Sequence, residues 1–357
     1  MPFVMGSMVL DAPASALNNA GSDTGAKTDN AIVVKKIPVQ GGYMHPYVSA
    51  QAVRYWIRTN LELNADRWKA APVRREGKIA YTDSDPLKYW DDDLFGYMRA
   101  PSKKTDAAKD AAASPLEKDR EITRISPLRV GTFVSISPTR VVSDFGTMTR
   151  QQGDPVPYEH EFYRAHLLGL LSLDLTASGT FFDGARVGFK NLDSFRRKAA
   201  EEHSLEKLEV RKQTAFRLPL AERVDRVTTL IGSLALLNGG AKQTVHYTEL
   251  TPAIVFLAVT KNGNNPFYRM LTSTPTHITQ FHEPAFQELM SVYKSSFLSK
   301  VYIGWAQGFL DHEREKLEGA ISKLGDAGPL VTIDHPVSAI EAFTKELGSN
   351  ANPSWYD

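Results

Sequence analysis

The spacing of apolar residues along the chain predicts alternating strands and helices. Continuous apolar runs predict four buried strands, at residues 3–12, 128–136, 162–175 and 251–260. The run at 162–175 is also compatible with a helix. Apolar residues at the helical period predict one helix from Ser49 to near Leu63 and another over residues 220–237. Because strand, helix, strand, strand, helix, strand is the ferredoxin-like order, we predict an α+β fold with an RRM-like core.

The segments between these elements predict loops and insertions. Residues 11–30 form a long polar stretch, and residues 103–118 are of low complexity. Turn signals occur at both ends of residues 137–161, which predict a protruding hairpin or loop. We expect residues 177–217 to be irregular and basic, and residues 283–324 and 337–347 to be mostly helical.

The first predicted helix carries two arginines on its polar side. Ser49 is a good N-cap, and Arg54 and Arg58 lie four residues apart with Gln51 beside them. Guanidinium groups and the free backbone N–H groups of a helix N-terminus both favour a bound phosphate. The segment therefore predicts either a phosphate site or an amphipathic helix with a solvated arginine pair.

A loop of small residues follows the second predicted helix. It contains Gly239 and Gly240, followed by Lys242 and Gln243. Missing side chains would let the backbone approach a phosphate, and Lys242 would neutralise its charge. The alternative is that the glycine pair only ends the helix. In the predicted fold, this loop and the start of the first helix can meet along one edge of the sheet.

Composition limits the classes of function. The chain has 357 residues, a net charge of +1 and no cysteine, which excludes disulfides and cysteine-ligated zinc. A polyanion site must therefore come from local sorting of charge. The first residues are typical of a strand rather than of a signal peptide, and the longest apolar run is too short to span a bilayer. We expect a cytoplasmic protein that contacts no membrane.

The usual catalytic and cofactor motifs are missing from the sequence. It has no phosphate-binding glycine loop of known type, no dinucleotide fingerprint, no metalloprotease helix and no aromatic RNP signature. Three consecutive aspartates, Asp91 to Asp93, are more typical of a solvated acidic surface or a helix start than of a metal site. The spacing of His277 and His282 does not suit a metal site on one helix face. We predict no catalytic residue, no metal ligand and no cofactor.

Several segments together resemble the Cas-seven group of CRISPR-associated RAMP proteins, within its DevR-type autoregulator branch. That branch supplies the crRNA-binding backbone subunit of type I-B Cascade. The segments are residues 17–21 (LNNAG), 47–54 (YVSAQAVR), 91–98 (DDDLFGYM), 126–132 (SPLRVGT) and 240–243 (GAKQ). Their order and spacing cover nearly the whole chain, and the set is more specific than any one of its members.

The resemblance implies a hand-shaped protein. Its RRM-like palm would consist of residues 1–63, 126–136 and 162–357, the last with C-terminal helices. Residues 64–125 would form inserted fingers, and residues 137–161 a thumb hairpin. Such subunits stack as a helical filament on one crRNA and present its spacer for pairing with target DNA. The implied partners are crRNA, the target DNA strand, further copies of the chain and other Cascade subunits.

The resemblance also implies which residues hold the RNA backbone. Family members use the serine-led helix and the Gly-Ala-Lys-Gln loop, and we add Arg58 from helix geometry. The complete predicted RNA-binding set is Asn18, Asn19, Ser49, Gln51, Arg54, Arg58, Gly239, Gly240, Lys242 and Gln243.

The predicted thumb adds a second kind of contact. Arg140 and Arg150 would follow the phosphates of the RNA. Phe145 and Met148 would be exposed, and an apolar wedge of this kind can displace a stacked base. The alternative is a flexible loop that touches nothing.

Two other functions are compatible with the sequence. One is a metal-dependent endoribonuclease of the same superfamily, which would use Asp23 or Asp29; their sequence context differs from that of the cleaving branch. The other is a DNA-binding transcriptional autoregulator, against which the lack of a helix-turn-helix pattern counts. We therefore expect a non-catalytic RNA-binding subunit.

Overall fold

The computed structural model describes residues 1–22, 30–99, 121–184, 188–349 and 352–357 of the chain. The helices in these ranges are α1 (Ala50–Asn64), α2 (Trp90–Phe95), α3 (Ser194–Glu202), α4 (Leu220–Gly232), α5 (Glu283–Val292), α6 (Asp311–Ser322) and α7 (Pro336–Leu347). The strands are β1 (Phe3–Ser15), β2 (Asn19–Ser22), β3 (Ala31–Val34), β4 (Lys36–Pro38), β5 (Met44–Val48), β6 (Arg74–Glu76), β7 (Ile79–Tyr81), β8 (Tyr97–Arg99), β9 (Ile122–Arg124), β10 (Leu128–Val130), β11 (Phe133–Ser135), β12 (Val142–Met148), β13 (Val156–Asp174), β14 (Thr180–Phe182), β15 (Glu206–Val210), β16 (Gln213–Arg217), β17 (Ile254–Thr260), β18 (Leu271–Ser273), β19 (Thr279–Phe281), β20 (Val301–Trp305) and β21 (Val331–Asp334). Helices and strands mix along the chain, which confirms the predicted α+β class.

A twelve-stranded, mostly antiparallel sheet forms the centre of the molecule. Its longest path has the strand order β21-β20-β17-β1-β13-β11-β5-β4. β1 lies between β13 and β17 and is antiparallel to both, so that Val4 lies opposite Leu173 on one side and Val259 on the other. The four strands predicted from apolar runs are therefore neighbours, in the spatial order fourth, first, third, second.

Around β1, both faces of the sheet are covered by helices. Val4, Met8 and Leu10 pack with residues of α1, α4 and α7, whereas Met5 and Val9 pack with residues of α5 and α6. A strand that is buried on both faces is a continuous apolar run rather than an alternating one. The continuous apolar run therefore identifies β1 as a strand. Because it does not alternate, it does not indicate which helices cover which face of the sheet.

Several predicted boundaries change in the structure. The strand predicted at residues 128–136 is two strands, β10 and β11, separated at residues 131–132. The run at 162–175 is a strand rather than a helix, because β13 pairs on one side with β1 and on the other with β10 and β11. Residues 11–30 are not one loop, since β1 continues to Ser15 and β2 follows it. The low-complexity segment at 103–118 lies outside the described residues.

Two further predictions are wrong about regular structure. Residues 177–217, expected to be irregular, contain α3 and a three-stranded sheet of β14, β16 and β15. The C-terminal part, expected to be mainly helical, supplies β20, which pairs directly with β17 inside the main sheet. β20 has only five residues, and four of them are buried. Its sequence therefore lacks the alternation of apolar and polar residues that would distinguish a strand from the neighbouring amphipathic helices.

The three consecutive aspartates start α2, as predicted, but they are buried rather than solvated. Asp93 is fully buried and forms ion pairs with Arg124 and with Arg226, whose Nη1 lies 2.7 Å from Asp93 Oδ2. The amide of Gly179 donates a further bond of 3.0 Å to the same carboxylate oxygen. One carboxylate therefore connects the inserted region, the end of β9 and α4.

We expect Asp93→Asn to lower the free energy of unfolding by about 3–5 kcal/mol, because it leaves two buried guanidinium groups without their shared counter-charge. Asp91→Asn is the matched control, because an amide oxygen can also accept the 2.7 Å hydrogen bond that Asp91 accepts from the Ala71 amide. Asp91 has no salt bridge to a guanidinium among the described residues; only the longer-range charge of Arg58 acts on it. Urea denaturation of both variants measures the difference. Equal destabilisation by the two substitutions would contradict a central role for Asp93.

Candidate nucleic-acid interface

The N-terminus of α1 is held by a short segment that follows β1. The Ser49 side chain caps the helix by accepting a 3.4 Å bond from the amide of Ala52. The amide of Ser49 itself donates to Oδ1 of Asn18 at 2.9 Å. Gln51 lies on the exposed side of the first turn. Asn18 thus has a positioning role in the chain, and Ser49 is confirmed as the N-cap.

The glycine loop packs against these two segments. The amide of Ala241 donates to the carbonyl of Leu17 at 3.0 Å. Gly239 has φ +148°, and a Cβ there would lie 2.6 Å from Cδ1 of Trp56 in α1. Gly240 has φ +91°, and its Cβ would lie 2.7 Å from Cδ2 of Leu17. The two glycines therefore permit close packing of the loop on α1 and on residue 17.

The alternative reading of the glycine pair, as a simple helix end, is wrong. α4 ends at Gly232, and a 3-10 turn over Ser233–Leu236 separates it from the pair. The glycine loop and the start of α1 are bonded to residues 17 and 18, through the amides of Ala241 and Ser49, so the two predicted segments lie close together.

Within the loop, Lys242 and Gln243 have different surroundings. The Gln243 side chain donates to the carbonyl oxygens of Gly239 and Thr248 and accepts from the Thr248 amide at 2.8 Å, so it braces the loop. Lys242 is half-buried and has φ +58°; its carbonyl accepts from the amides of Val245 and His246, but its side chain has no hydrogen-bond or ion-pair partner among the described residues. Asn19 follows Asn18 at the start of β2, and its Oδ1 is buried without a partner in the same set of residues. Lys242 is therefore the cation at this junction that an anion can reach.

Arg54 and Arg58 point the same way, as predicted, but they point at protein. The two terminal nitrogens of Arg54 donate to the carbonyls of Leu128 (2.9 Å) and Phe95 (2.6 Å) and to the Ser126 hydroxyl. Burial, together with the charge of Arg58, lowers the pKa of Arg54 to about 10. The guanidinium of Arg58 lies 4.2 Å from the centre of the Phe95 ring. Arg54 thus ties α1 to α2 and β10, and its phosphate contact stays a prediction.

Residues 142–162 form a long hairpin, in which β12 pairs with the first part of β13. Phe145 and Met148 are 62% and 57% exposed. The register pairs Phe145 with Glu159 and Met148 with Val156. Because side chains alternate along a strand, residues three apart lie on opposite faces. The two predicted wedge residues therefore cannot act together on one face of the hairpin.

The predicted thumb arginines occupy different parts of this hairpin. Arg140 is exposed at its base, where its guanidinium lies 5.3 Å from the centre of the Tyr43 ring. Arg150 is exposed in the turn between the two strands. Both are accessible to a partner, and their phosphate contacts stay predictions.

An aromatic ladder connects the hairpin to the glycine loop. The Tyr158 ring stacks on His160 with 5.8 Å between centres, and His160 contacts His246 at 4.8 Å. Phe162 also stacks on His246, with 5.1 Å between the ring centres. Burial, followed by the neighbouring His160, lowers the pKa of His246. The ladder fixes the base of the hairpin next to the loop that carries Lys242.

Sequence reasoning missed the aromatic residues of this region. Tyr55 is 66% exposed on α1, one turn after Gln51, and Tyr247 is 77% exposed just after the glycine loop. The i,i+4 spacing of Gln51 and Tyr55 was a usable signal. His160 and His246 had none, because 86 residues separate them in the chain and only the packing of the hairpin brings them together.

Within the described residues, no group of three or more His, Asp or Glu side chains is arranged to hold a metal ion. In the same residues, no helix combines the length and the hydrophobicity that crossing a bilayer requires. Asp23 and Asp29, the candidates for a cleaving enzyme, lie outside the described residues.

Two solved structures are similar to this chain over nearly its whole length. One belongs to a CRISPR RNA-guided surveillance complex, is 13% identical, has a TM-score of 0.50, and is matched over 96% of this chain and 99% of its own. The other, from a CRISPR RNA-guided surveillance complex described as pre-nicking, is 11% identical with a TM-score of 0.53 and coverages of 97% and 100%. No family sequence model and no curated protein sequence matches.

Together, fold and site define a class. The chain is an α+β protein that shares its fold with chains of CRISPR RNA-guided surveillance complexes. At this junction it combines a capped helix N-terminus, a lysine whose side chain has no partner among the described residues, and a protruding hairpin.

We expect Gly239→Ala to lower the free energy of unfolding by about 1–3 kcal/mol, because the new Cβ overlaps Trp56 in a strained backbone conformation. Gly319→Ala in α6 is the matched control; its Cβ would meet no atom within 4 Å. We expect this control substitution to raise the free energy of unfolding by about 0.5–1 kcal/mol, because alanine is more favourable than glycine inside a helix. Thermal unfolding distinguishes the two, and equal effects would contradict the packing role of Gly239.

Proposed function

We propose that the chain is a non-catalytic, crRNA-binding backbone subunit of a CRISPR effector complex of the Cascade type. The observation that carries this proposal is the convergence of residues 17–19, the N-terminus of α1 and the Lys242 loop. A cation and the positive end of a helix dipole at one place suit a phosphate. The fold likeness to chains of CRISPR RNA-guided surveillance complexes supports the same assignment.

The strand order supports an RRM-like palm. In a ferredoxin-like unit the spatial order is fourth, first, third, second, which β17, β1, β13 and β11 follow with antiparallel neighbours. α1 and α4 connect these strands and lie on one face of the sheet. The inserted residues 64–125 then correspond to fingers and residues 137–161 to a thumb, which makes the proposed subunit hand-shaped.

In the proposed complex, the RNA backbone runs past the start of α1. Lys242 neutralises one phosphate, and Gln51 lies on the exposed side of the first helical turn. Asn18 and Gln243 position these groups through the bonds that they make within the protein. Arg54 and Arg58 hold α1 against Phe95. Exposed Tyr55 and Tyr247 are available to stack on bases.

The two faces of the hairpin differ in how well they suit RNA. Phe145 lies directly opposite Glu159, whose charge repels phosphate. Met148 lies on the other face, directly opposite Val156 and next to Tyr158. That face also carries Asp144, whose carboxylate lies 3.5 Å from His160, and it continues through the aromatic ladder to the Lys242 loop. The direct cross-strand neighbour of Met148 is therefore uncharged, whereas that of Phe145 is an acid. We therefore assign the wedge that displaces a base to Met148 rather than to Phe145.

Head-to-tail contacts between copies of the chain would give a filament, because heterologous contacts that do not close produce helical assemblies. The purified protein should have a high 260/280 nm absorbance ratio and carry RNA of uniform length. It should form elongated multimers with RNA and smaller species after nuclease treatment. A compact dimer that nuclease does not affect would contradict the proposal.

The endoribonuclease alternative is tested separately. Incubation with labelled target RNA and Mg²⁺ should leave the RNA intact if the subunit is a scaffold. Cuts at regular spacing would instead identify a metal-dependent nuclease. Specific binding of a promoter duplex by the protein without crRNA would support the transcriptional regulator.

We expect Lys242→Ala to weaken RNA binding by a similar factor for every sequence. Loss of one phosphate contact should also lower the slope of log affinity against log salt by ~0.7 for a single strand. Lys316→Ala is the control, since Lys316 lies on α6, which packs on the opposite face of the sheet from α1. Filter binding at several salt concentrations measures both quantities. A sequence-dependent loss or an unchanged slope would argue against phosphate contact by Lys242.

A matched pair of hairpin variants tests the assigned wedge. We expect periodic base reactivity in RNA bound to the parent protein, its loss with Met148→Ala, and its retention with Phe145→Ala. Chemical probing of the bound RNA measures the base reactivity with the parent protein and with each variant. The reverse pattern would move the wedge to the Phe145 face. Absence of any periodicity in the parent would refute the thumb role of the hairpin.

A further inference from the structure

A groove of about 650 Å³ opens on the face of the sheet that α1, α4 and α7 do not cover. Its floor is formed by apolar side chains of β11 and β13, among them Val134, Leu168 and Leu170. Residues 268–273 form one wall, and Ile37 and His45 of the β4–β5 hairpin lie on the other side. Pockets of this size hold small ligands or single groups of larger ones.

The register of the sheet extends this floor toward β4. Val134 lies opposite Leu168 on one side and Tyr47 on the other, so the three side chains share a face. The amide of Tyr47 bonds to the carbonyl of Lys35, which places Lys35 at the end of the same row. Leu168, Val134, Tyr47 and Lys35 thus form one continuous strip. The aromatic ring of Tyr47 and the cation of Lys35 lie at the end near β4.

The rim of the groove is polar and carries positive charge. Arg269 is exposed and has no hydrogen-bond or ion-pair partner among the described residues; the same is true of the Lys35 side chain. His45 is oriented by its Nδ1, which lies 2.8 Å from the carbonyl oxygen of Ser135. Tyr268 is 62% exposed beside Arg269. Among the described residues, no aspartate or glutamate lines the groove.

We propose that this groove is a second subsite for single-stranded nucleic acid, separate from the Lys242 junction. A nucleobase lies on the apolar floor against Tyr268, and Arg269 and Lys35 bind the flanking phosphates. An aromatic side chain beside an apolar floor suits the π-face of any base, and unpaired cations suit the strand that carries it. An apolar protein segment would cover the floor but leave Arg269 without a counter-charge. The inference rests on the proposed function, because it assumes a nucleic-acid partner.

The test uses the full chain freed of copurified nucleic acid, with a 30-nucleotide oligouridine RNA that carries 4-thiouridine and the DNA oligomer of matching sequence. Tyr268→Ala with Arg269→Ala should weaken binding about 5- to 100-fold, the range for loss of one base stack. Thr132→Trp, at an exposed position of the lining, should block the groove to a similar extent. Phe195→Ala with Lys198→Ala removes an exposed aromatic and an exposed cation from α3 and should have no effect.

The outcomes separate this inference from the proposed function. Crosslinking of the RNA to Tyr268, lost in Thr132→Trp, supports the subsite, and comparison with the DNA oligomer shows which strand it prefers. Suppose that the parent binds RNA, that Lys242→Ala weakens this binding, and that the groove variants bind normally with no crosslink to Tyr268 in the parent. The subsite is then refuted, and the proposed function stands. If the parent binds neither oligomer, both fail. If Thr132→Trp instead lowers the oligomeric state of the nucleic-acid-free protein, the occupant is another copy of the chain.

Discussion

The buried carboxylate of Asp93 is the interaction on which the rest of the arrangement depends. Two guanidinium groups from distant parts of the chain, those of Arg124 and Arg226, meet on it in a site without water-accessible surface. Arg226 is also bound by Glu222 one turn earlier on α4 and by the carbonyls of residues 86 and 87. Charges buried in this way are costly unless all of them are paired, so α2 and α4 keep one relative position.

Phe95, two residues after Asp93 in α2, connects this pair of helices to the proposed RNA surface. Its carbonyl accepts from Arg54, and its ring lies under Arg58, so α2 holds one side of α1. Trp56 on the same helix packs against Gly239. The acidic segment therefore acts as structure rather than as a ligand set, and it sets where the N-terminus of α1 and the Lys242 loop meet. A buried ionic centre of this kind supports the candidate site from a distance.

The hairpin and the groove both depend on sheet register. Along β13, odd-numbered residues such as Leu167 and Leu171 enter the main core, whereas even-numbered residues such as Leu168 and Leu170 face the groove. The same alternation, continued into the hairpin, puts Met148 and Phe145 on opposite faces. One long strand thus decides which residues of the thumb and which of the palm can face a common partner.

The sequence alone determined the α+β class, the order of the main strands, the Ser49 helix start and the presence of a hairpin, because each depends on local periodicity or capping. It also indicated that residues 47–54 and 240–243 belong together. It could not determine that Asp91 to Asp93 are buried, that Arg54 is used inside the protein, or that β20 joins the main sheet. Burial of a charge is stable only when partners from distant segments arrive, and a five-residue strand is defined only by its neighbours. Those partners, and the register that separates Phe145 from Met148, exist only in the tertiary structure.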